Sequence, residues 1–365
     1  MLSSSLLSNR PGPEVASMYK VGFHRERVEA YLNKKNIFPV TLELDLTSRC
    51  TRVCPDCPSV RASRHYDLSE KFIRKLFTLL EGKTRGLLLT GGEPTASPLF
   101  PDTLKWAREH GFIDIAVVTN GSMLDSSPVF ESLLERASTI RLSMYDWEKN
   151  ICGSFESSLR KIELLRKKID GNGSRLQIGI SALTSDKRSE QLLKLAENVR
   201  SAGADWIYFH PLCTNWGLGR PTPETQEGVI QRIREIQVRQ EFKKRVFLSS
   251  ERYDNFPLEF QHYHAAHFLL VIGADGRNYL GPEVKYQPNF VIADLGGFNN
   301  GNLLWKKERF EKINSFRSQT YSAVKSRHRG VLYNHLIESL NNGNGAARVE
   351  FDRAAQRDFY FPHIL

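Results

Sequence analysis

Residues 38–59 read FPVTLELDLTSRCTRVCPDCPS. The first nine, 38–46, are rich in apolar and β-branched side chains and read as a buried strand. That strand runs into a loop carrying Cys50, Cys54 and Cys57 at C-x3-C-x2-C spacing, with no fourth cysteine nearby. A structural metal site normally takes four protein ligands, whereas three leave a coordination position open for chemistry. Such a loop calls for a fold that gathers strand ends at one reactive face.

Downstream, strand-like and helix-like segments alternate. Residues 67–82 read as a helix capped by Asp67 or Ser69 and ended by Gly82, with Phe72, Leu76, Leu79 and Leu80 on one face. Strand-like runs follow at 86–90, 113–121, 139–144, 175–183 and 205–212, separated by helical sequence near 100–110, 126–136, 154–169 and 187–202. A spacing of about thirty residues is the size of a βα unit. With 38–46 there are six strands. They predict an α/β chain whose main body, 38–240, is a partial (β/α)6 parallel barrel with right-handed crossovers and reactive groups at the C-terminal strand ends. Residues 1–37 read as an N-terminal arm and a short amphipathic helix at 23–36. Beyond residue 240 the pattern changes. Residues 268–281 read as a β-hairpin turning at Ala274-Asp275-Gly276, within a small α+β C-terminal appendage spanning 241–365.

From spacing alone, the cysteine loop admits several readings. A C-x2-C pair occurs in thioredoxin-like redox motifs, which need no third cysteine. Cys50, Cys54, Cys57 and His65 could form a Cys3His zinc site, and thiols can simply be buried. A second motif bears on the choice. Thr90-Gly91-Gly92-Glu93-Pro94 closes the second strand, one βα unit further on and at the same barrel face. Glycines there let backbone approach a ligand, and Glu93 offers a fixed acceptor for an ammonium group. The C-x3-C-x2-C loop after strand one and GGEP after strand two together resemble the radical S-adenosylmethionine (SAM) enzymes, over residues 38–212.

That resemblance implies a single 4Fe–4S cluster held by Cys50, Cys54 and Cys57, with the fourth iron chelated by the amino and carboxylate groups of SAM. It implies reductive cleavage of SAM to a 5′-deoxyadenosyl radical that abstracts hydrogen from a substrate, with electrons from a donor such as flavodoxin or ferredoxin. Gly91, Gly92, Glu93 and Pro94 would hold the methionine amino group. Thr119, Asn120, Ser143 and Ser181, at the ends of strands three to five, lie where the family approaches SAM. An ordinary strand-to-helix turn, or a satisfied core hydroxyl, accounts for these four equally well. Two departures stand out. Asp56 occupies a position before the third cysteine that is often aromatic in the family. The loop 145–155 lacks the arginine that often pairs with the SAM carboxylate, for which Lys149 could substitute.

The segments 269–283 and 294–304 resemble the hairpin and glycine turn of the cysteine-rich SPASM or twitch extension that many relatives carry. No cysteine follows Cys213, so the appendage is expected to hold no auxiliary cluster. Glu283, Lys285 and Tyr286, just after the hairpin, are candidate substrate contacts. Cys213, at the end of the sixth strand, is a candidate hydrogen donor, although a small buried hydrophobe is the commoner role for a lone cysteine. His262, His264 and His267 cluster without a carboxylate or cysteine at metal-ligand spacing.

Composition sets the outer bounds. The chain has 365 residues, 40% hydrophobic and 25% charged, enough for a core without disulfides. Five cysteines, an odd number with three clustered, point to a reducing cytoplasmic setting and metal binding rather than a disulfide framework. No apolar run approaches the roughly 18 residues that span a bilayer, so no membrane partner is expected. The net charge of +10 is spread in short runs such as Lys243-Lys244-Arg245, the pattern of a solvated surface rather than a nucleic-acid footprint. The expected substrate is a small polar metabolite, such as a sugar, nucleoside or amino-acid derivative. A peptide or protein substrate is the alternative; RNA and a non-catalytic zinc protein are more remote.

Overall fold

The computed structural model describes residues 17, 19–54, 57, 62–144, 155–184, 191–211, 223–248, 260–295, 303–317, 329–354 and 357–365. Seven strands follow one another across the sheet in chain order, every pair parallel. They are β1 (Thr41–Asp45), β2 (Gly86–Thr90), β3 (Asp114–Thr119), β4 (Thr139–Met144), β5 (Gln177–Thr184), β6 (Trp206–Pro211) and β7 (Val246–Leu248). The first six fall where the sequence places strands. The seventh was not among them: three residues are too short to display a period, and β7 carries the parallel sheet past residue 240.

Helices at Glu70–Leu80, Phe100–Glu109, Ser127–Arg136, Phe155–Asn172 and Leu192–Ser201 return the chain between strands. The first is capped by Ser69, whose Oγ accepts from the Phe72 amide at 3.3 Å. Its buried face is Ile73, Leu76, Phe77 and Leu80; Phe72 and Leu79 are only partly covered. On the sheet, Leu42 and Leu44 of β1, Ile115 and Val117 of β3, and Ile178 and Ile180 of β5 enter the core shared with these helices. Strand alternation therefore turns Glu43, Asp45, Thr90, Arg141, Ser143, Ser181 and His210 to the concave side.

The hairpin expected at 268–281 is present as β8 (Leu269–Ile272) and β9 (Arg277–Tyr279), with β10 (Val291–Asp294) added antiparallel. It does not form a sheet of its own. β8 pairs in parallel with β1, so the barrel sheet continues from its first strand into a ten-stranded whole. A second core, including Val21, Val28, Phe268, Ile337 and Phe351, joins this region to the N-terminal helices Lys20–Phe23 and Arg25–Leu32. Residues 296–302, read as a glycine turn, lie outside the described residues.

Residues 357–365 cover the N-terminal ends of the strands. Thr41 Oγ1 donates to the His363 carbonyl at 2.6 Å, and the His363 amide donates to Asp114 Oδ2 at 2.9 Å. Tyr360 and Phe361 pack on Trp206, Tyr208 and Phe247 inside the barrel. The buried Lys20 ammonium donates to the Phe361 and Ile364 carbonyls. The C-terminal strand ends are thus left as the face at which loops gather.

Candidate active site

The cysteine loop leaves β1 at its C-terminal end, and the GGEP turn leaves β2 beside it. The two loops are bonded backbone to backbone: the Gly92 amide donates to the Thr47 carbonyl at 2.9 Å and the Glu93 amide to the Arg49 carbonyl at 2.8 Å. A Cβ on Gly91 would lie 2.4 Å from the Thr47 carbonyl oxygen, and one on Gly92 would lie 2.0 Å from that of Arg49. Gly91 also has φ +127°, a conformation that side chains disfavour. These glycines permit a close approach to the backbone of the cysteine loop.

Glu93 is fully buried and starts the short turn Pro94–Ala96. Its Oε1 accepts from the Thr95 amide (3.2 Å), Thr95 Oγ1 (2.5 Å) and Thr119 Oγ1 (2.7 Å), while Oε2 accepts from the Asn120 amide (2.7 Å). A carboxylate has about four acceptor directions, so protein donors take most of its capacity. Glu93 is a latch between the β2 and β3 loops. Asn120 passes the connection on: its Nδ2 donates to Thr51 Oγ1 at 3.1 Å and lies 3.6 Å from Cys50 Sγ, and Thr51 Oγ1 meets Ser122 Oγ at 2.6 Å. Three consecutive strand ends are therefore tied together around the first cysteine.

None of Cys50, Cys54 and Cys57 is in a disulfide; the first is exposed and the others are half-buried. Partial desolvation, then the Glu93 carboxylate and the other two cysteines, push the Cys50 thiol above its usual range. A thiol raised in this way becomes a thiolate most readily around a cation. Among the described residues no three His, Cys, Asp or Glu side chains converge on a single ion. A cubane cluster takes each thiolate on a different iron. Three thiols on one loop are a donor set that suits such a cluster.

No family model matches the chain. A 7,8-dihydro-6-hydroxymethylpterin dimethyltransferase of Methanocaldococcus jannaschii is 30% identical over 109 residues, a match spanning 28% of this chain and only 22% of that protein. Among solved structures, Streptococcus suis SuiB bound to S-adenosylmethionine aligns with TM-score 0.63 at 15% identity, over 93% of this chain and 81% of that one. The anSMEcpe structure with bound AdoMet aligns with TM-score 0.57 at 13% identity, over 87% of this chain and 99% of that one. The fold is that of the radical SAM enzymes.

Within this radical SAM fold, Ser143 and Ser181 are register neighbours on β4 and β5. Ser181 Oγ is bonded to His210 Nε2 at 2.8 Å, and His210 stacks on Tyr208. These groups form one polar wall of the concave side. Opposite them, Lys285 and Tyr286 reach across from the appendage to β1. The Lys285 ammonium contacts Asp45 Oδ1 at 2.6 Å, Glu43 Oε1 at 3.1 Å and Thr90 Oγ1 at 3.3 Å, and Tyr286 donates to Asp45 Oδ2 at 2.7 Å. Glu283 is buried in the turn Pro282–Val284 just before them. Burial alone would lower the Lys285 pKa, but Asp45 and Glu43 more than reverse this and hold it above its usual range. Burial, reinforced by Asp45, raises Tyr286, which stays protonated and donates. Tyr66, leaving the cysteine loop, stacks on Tyr286 with centroids 6.5 Å apart.

The sequence reading missed Glu43 and Asp45. Their signal was present: two acids at alternate positions of a strand apolar enough to be covered on both faces. His210 and Thr51 were missed too, and nothing in their sequence surroundings marks them. Cys213, Asp56 and Lys149 lie outside the described residues, as does Cys152. No described helix is long and apolar enough to cross a membrane.

Proposed function

We propose that the protein is a radical SAM enzyme carrying one 4Fe–4S cluster on Cys50, Cys54 and Cys57 and acting on a small polar metabolite. The observation that supports this most is the Glu93 latch, which ties the cysteine loop, the GGEP turn and the β3 loop into one unit at the open end of the barrel. The cluster and SAM, when bound, supply one-electron chemistry that ends in hydrogen abstraction from the substrate. The chain's own residues position and enclose. Glu93 fixes the loops, Asn120 orients its amide toward Cys50, and Ser143, Ser181 and His210 offer hydrogen bonds along one wall. The Lys285 cluster fastens the C-terminal region to β1 at the other side of the concave face. An electron donor of the flavodoxin or ferredoxin type would reduce the cluster.

A second reading, a peptide or protein substrate, draws on the fold likeness to SuiB, solved with its precursor peptide SuiA, and to anSMEcpe, solved with the Kp18Cys peptide. The decisive experiment is anaerobic reconstitution with iron and sulfide, followed by reduction in the presence of SAM. About four irons per chain are expected, with 5′-deoxyadenosine that disappears in Cys54→Ala. Zinc in place of iron, or a cluster that never cleaves SAM, would overturn the proposal. Stimulation of 5′-deoxyadenosine formation by a low-mass metabolite fraction rather than a peptide fraction would separate the two substrate readings.

A further inference from the structure

The opposite end of β1 holds a cavity of about 380 Å³, lined in part by Lys34, Lys35, His264, His267, Trp305 and Arg309. Ile37 and Pro39, just before β1, also line it, whereas the cysteines follow the far end of that strand. A five-residue strand rising about 3.3 Å per residue separates the two places by roughly 15 Å or more.

The charge of this cavity is one-sided. No Asp or Glu is among its described lining residues. Arg309 is 5% exposed and donates only to neutral acceptors: Asn278 Oδ1 at 3.1 Å and the carbonyls of Leu304 and Ala266 at 3.2 and 2.9 Å. Among the described residues it has no carboxylate partner, and burial pushes its pKa down to about 10. A buried charge without a counter-charge is costly, and an anion in the adjoining space would offset that cost. Lys34, at the mouth, has φ +61°, which is strained for a residue with a side chain, and its ammonium rests on the neutral Asn341 Oδ1 at 3.2 Å. His264, 7% exposed, bonds Tyr31 Oη through Nδ1, while its buried Nε2 has no hydrogen-bond partner. Burial, and then the neighbouring His262 and Lys34, lower its pKa to about 4, so at neutral pH the ring has one free donor or acceptor and no charge. Trp305 and Phe310 supply flat apolar walls, the latter stacked on His267. The volume lies within the ~300–1,000 Å³ usual for small-molecule sites.

We propose that this cavity is a second ligand site, remote from the cysteine loop, for a small organic anion. Its phosphate or carboxylate head meets Arg309 and the two lysines, and a planar apolar part lies against Trp305 and Phe310. The histidines hydrogen-bond the ligand, and among the described residues they form no group that could hold a metal ion. This inference stands apart from the catalytic reading; either can fail alone.

The test is melting temperature and calorimetric titration of the full chain at constant ionic strength, with phenyl phosphate, benzoate and neutral benzyl alcohol as probes. At least one aromatic anion should raise Tm by about 1–3 °C while benzyl alcohol leaves it unchanged. Whichever of phenyl phosphate and benzoate binds tighter identifies the head group. Lys34→Gln with Lys35→Gln, both exposed and outside the core, should weaken that binding at least about fivefold without lowering the ligand-free Tm. Arg309→Met should abolish binding, and the double lysine variant keeps the test valid if Arg309→Met fails to fold. Three results would refute the proposal: no shift with either anion, an equal shift with benzyl alcohol, or a shift unaltered in the double variant.

Discussion

Two buried carboxylate clusters sit side by side at the open end of the barrel and are built in opposite ways. Around Glu93 one carboxylate is met by backbone amides and hydroxyls, all neutral and drawn from neighbouring loops. Around Asp45 and Glu43 two carboxylates are met by the ammonium of Lys285 and the phenol of Tyr286, some 240 residues away in the chain. The first cluster positions loops and spends no counter-charge. The second fastens the C-terminal region to β1 through an ion pair whose members have almost no contact with water. A neutral latch loses its bonds one at a time, whereas a buried ion pair fails as a unit.

The largest expected effect follows from that contrast. Lys285→Met removes the ammonium that faces two buried carboxylates and should lower the unfolding free energy by about 3–5 kcal/mol in a denaturant titration. Adding Glu43→Gln and Asp45→Asn to the same chain should restore much of the loss, because the pair costs more when broken than when removed. Because Lys285 has a raised pKa in the folded state, its contribution is fully present below its unfolded value of about 10.4 and fades only as pH rises beyond that. The destabilisation by Lys285→Met should therefore not shrink between about pH 7 and pH 9; a loss that shrinks within this window would contradict the ion-pair account.

Glu93→Ala should cost less, roughly 2–3 kcal/mol, since it leaves neutral donors unpaired but no stranded charge. It should also reduce the iron retained after reconstitution, because Asn120 and the cysteine loop lose their anchor. Thr119→Val removes one donor to Glu93 and the acceptor of the Gly121 amide and should cost about 1–2 kcal/mol, with iron content close to that of the parent. A Glu93→Ala loss no larger than that of Thr119→Val would show that the carboxylate is not the hub of the latch. The smallest effect on folding is expected from Cys54→Ala in the metal-free chain, within ~0.5 kcal/mol, even though the variant should yield no 5′-deoxyadenosine. A large change there would mean that the thiols also serve the fold.

The two clusters also differ in how much of them the sequence reveals. The C-x3-C-x2-C loop and GGEP are contiguous motifs on successive βα units, and an alternating chain needs only its period to place both at the same face. The six longer strands were legible for the same reason. β7, with three residues, was not, and neither was the pairing of β8 with β1, which joins the hairpin to the barrel sheet. Lys285 and Tyr286 could be named as polar residues after the hairpin, but their partners could not, since no local spacing connects residue 285 to residue 43.

The sequence by itself determined the order of strands and helices, the reactive end of the barrel and the residues that offer thiols there, because these rest on local periodicity and short-range turns. Only the tertiary structure decided that Gly91 and Gly92 admit the cysteine loop's own backbone, that Glu93 faces protein donors, and that Lys285 neutralises carboxylates on β1. It alone placed a basic cavity at the far end of the same strand. Each of these depends on which surfaces the closed sheet brings within a few ångströms, and hydrogen bonding and charge compensation act at that range whatever the distance along the chain.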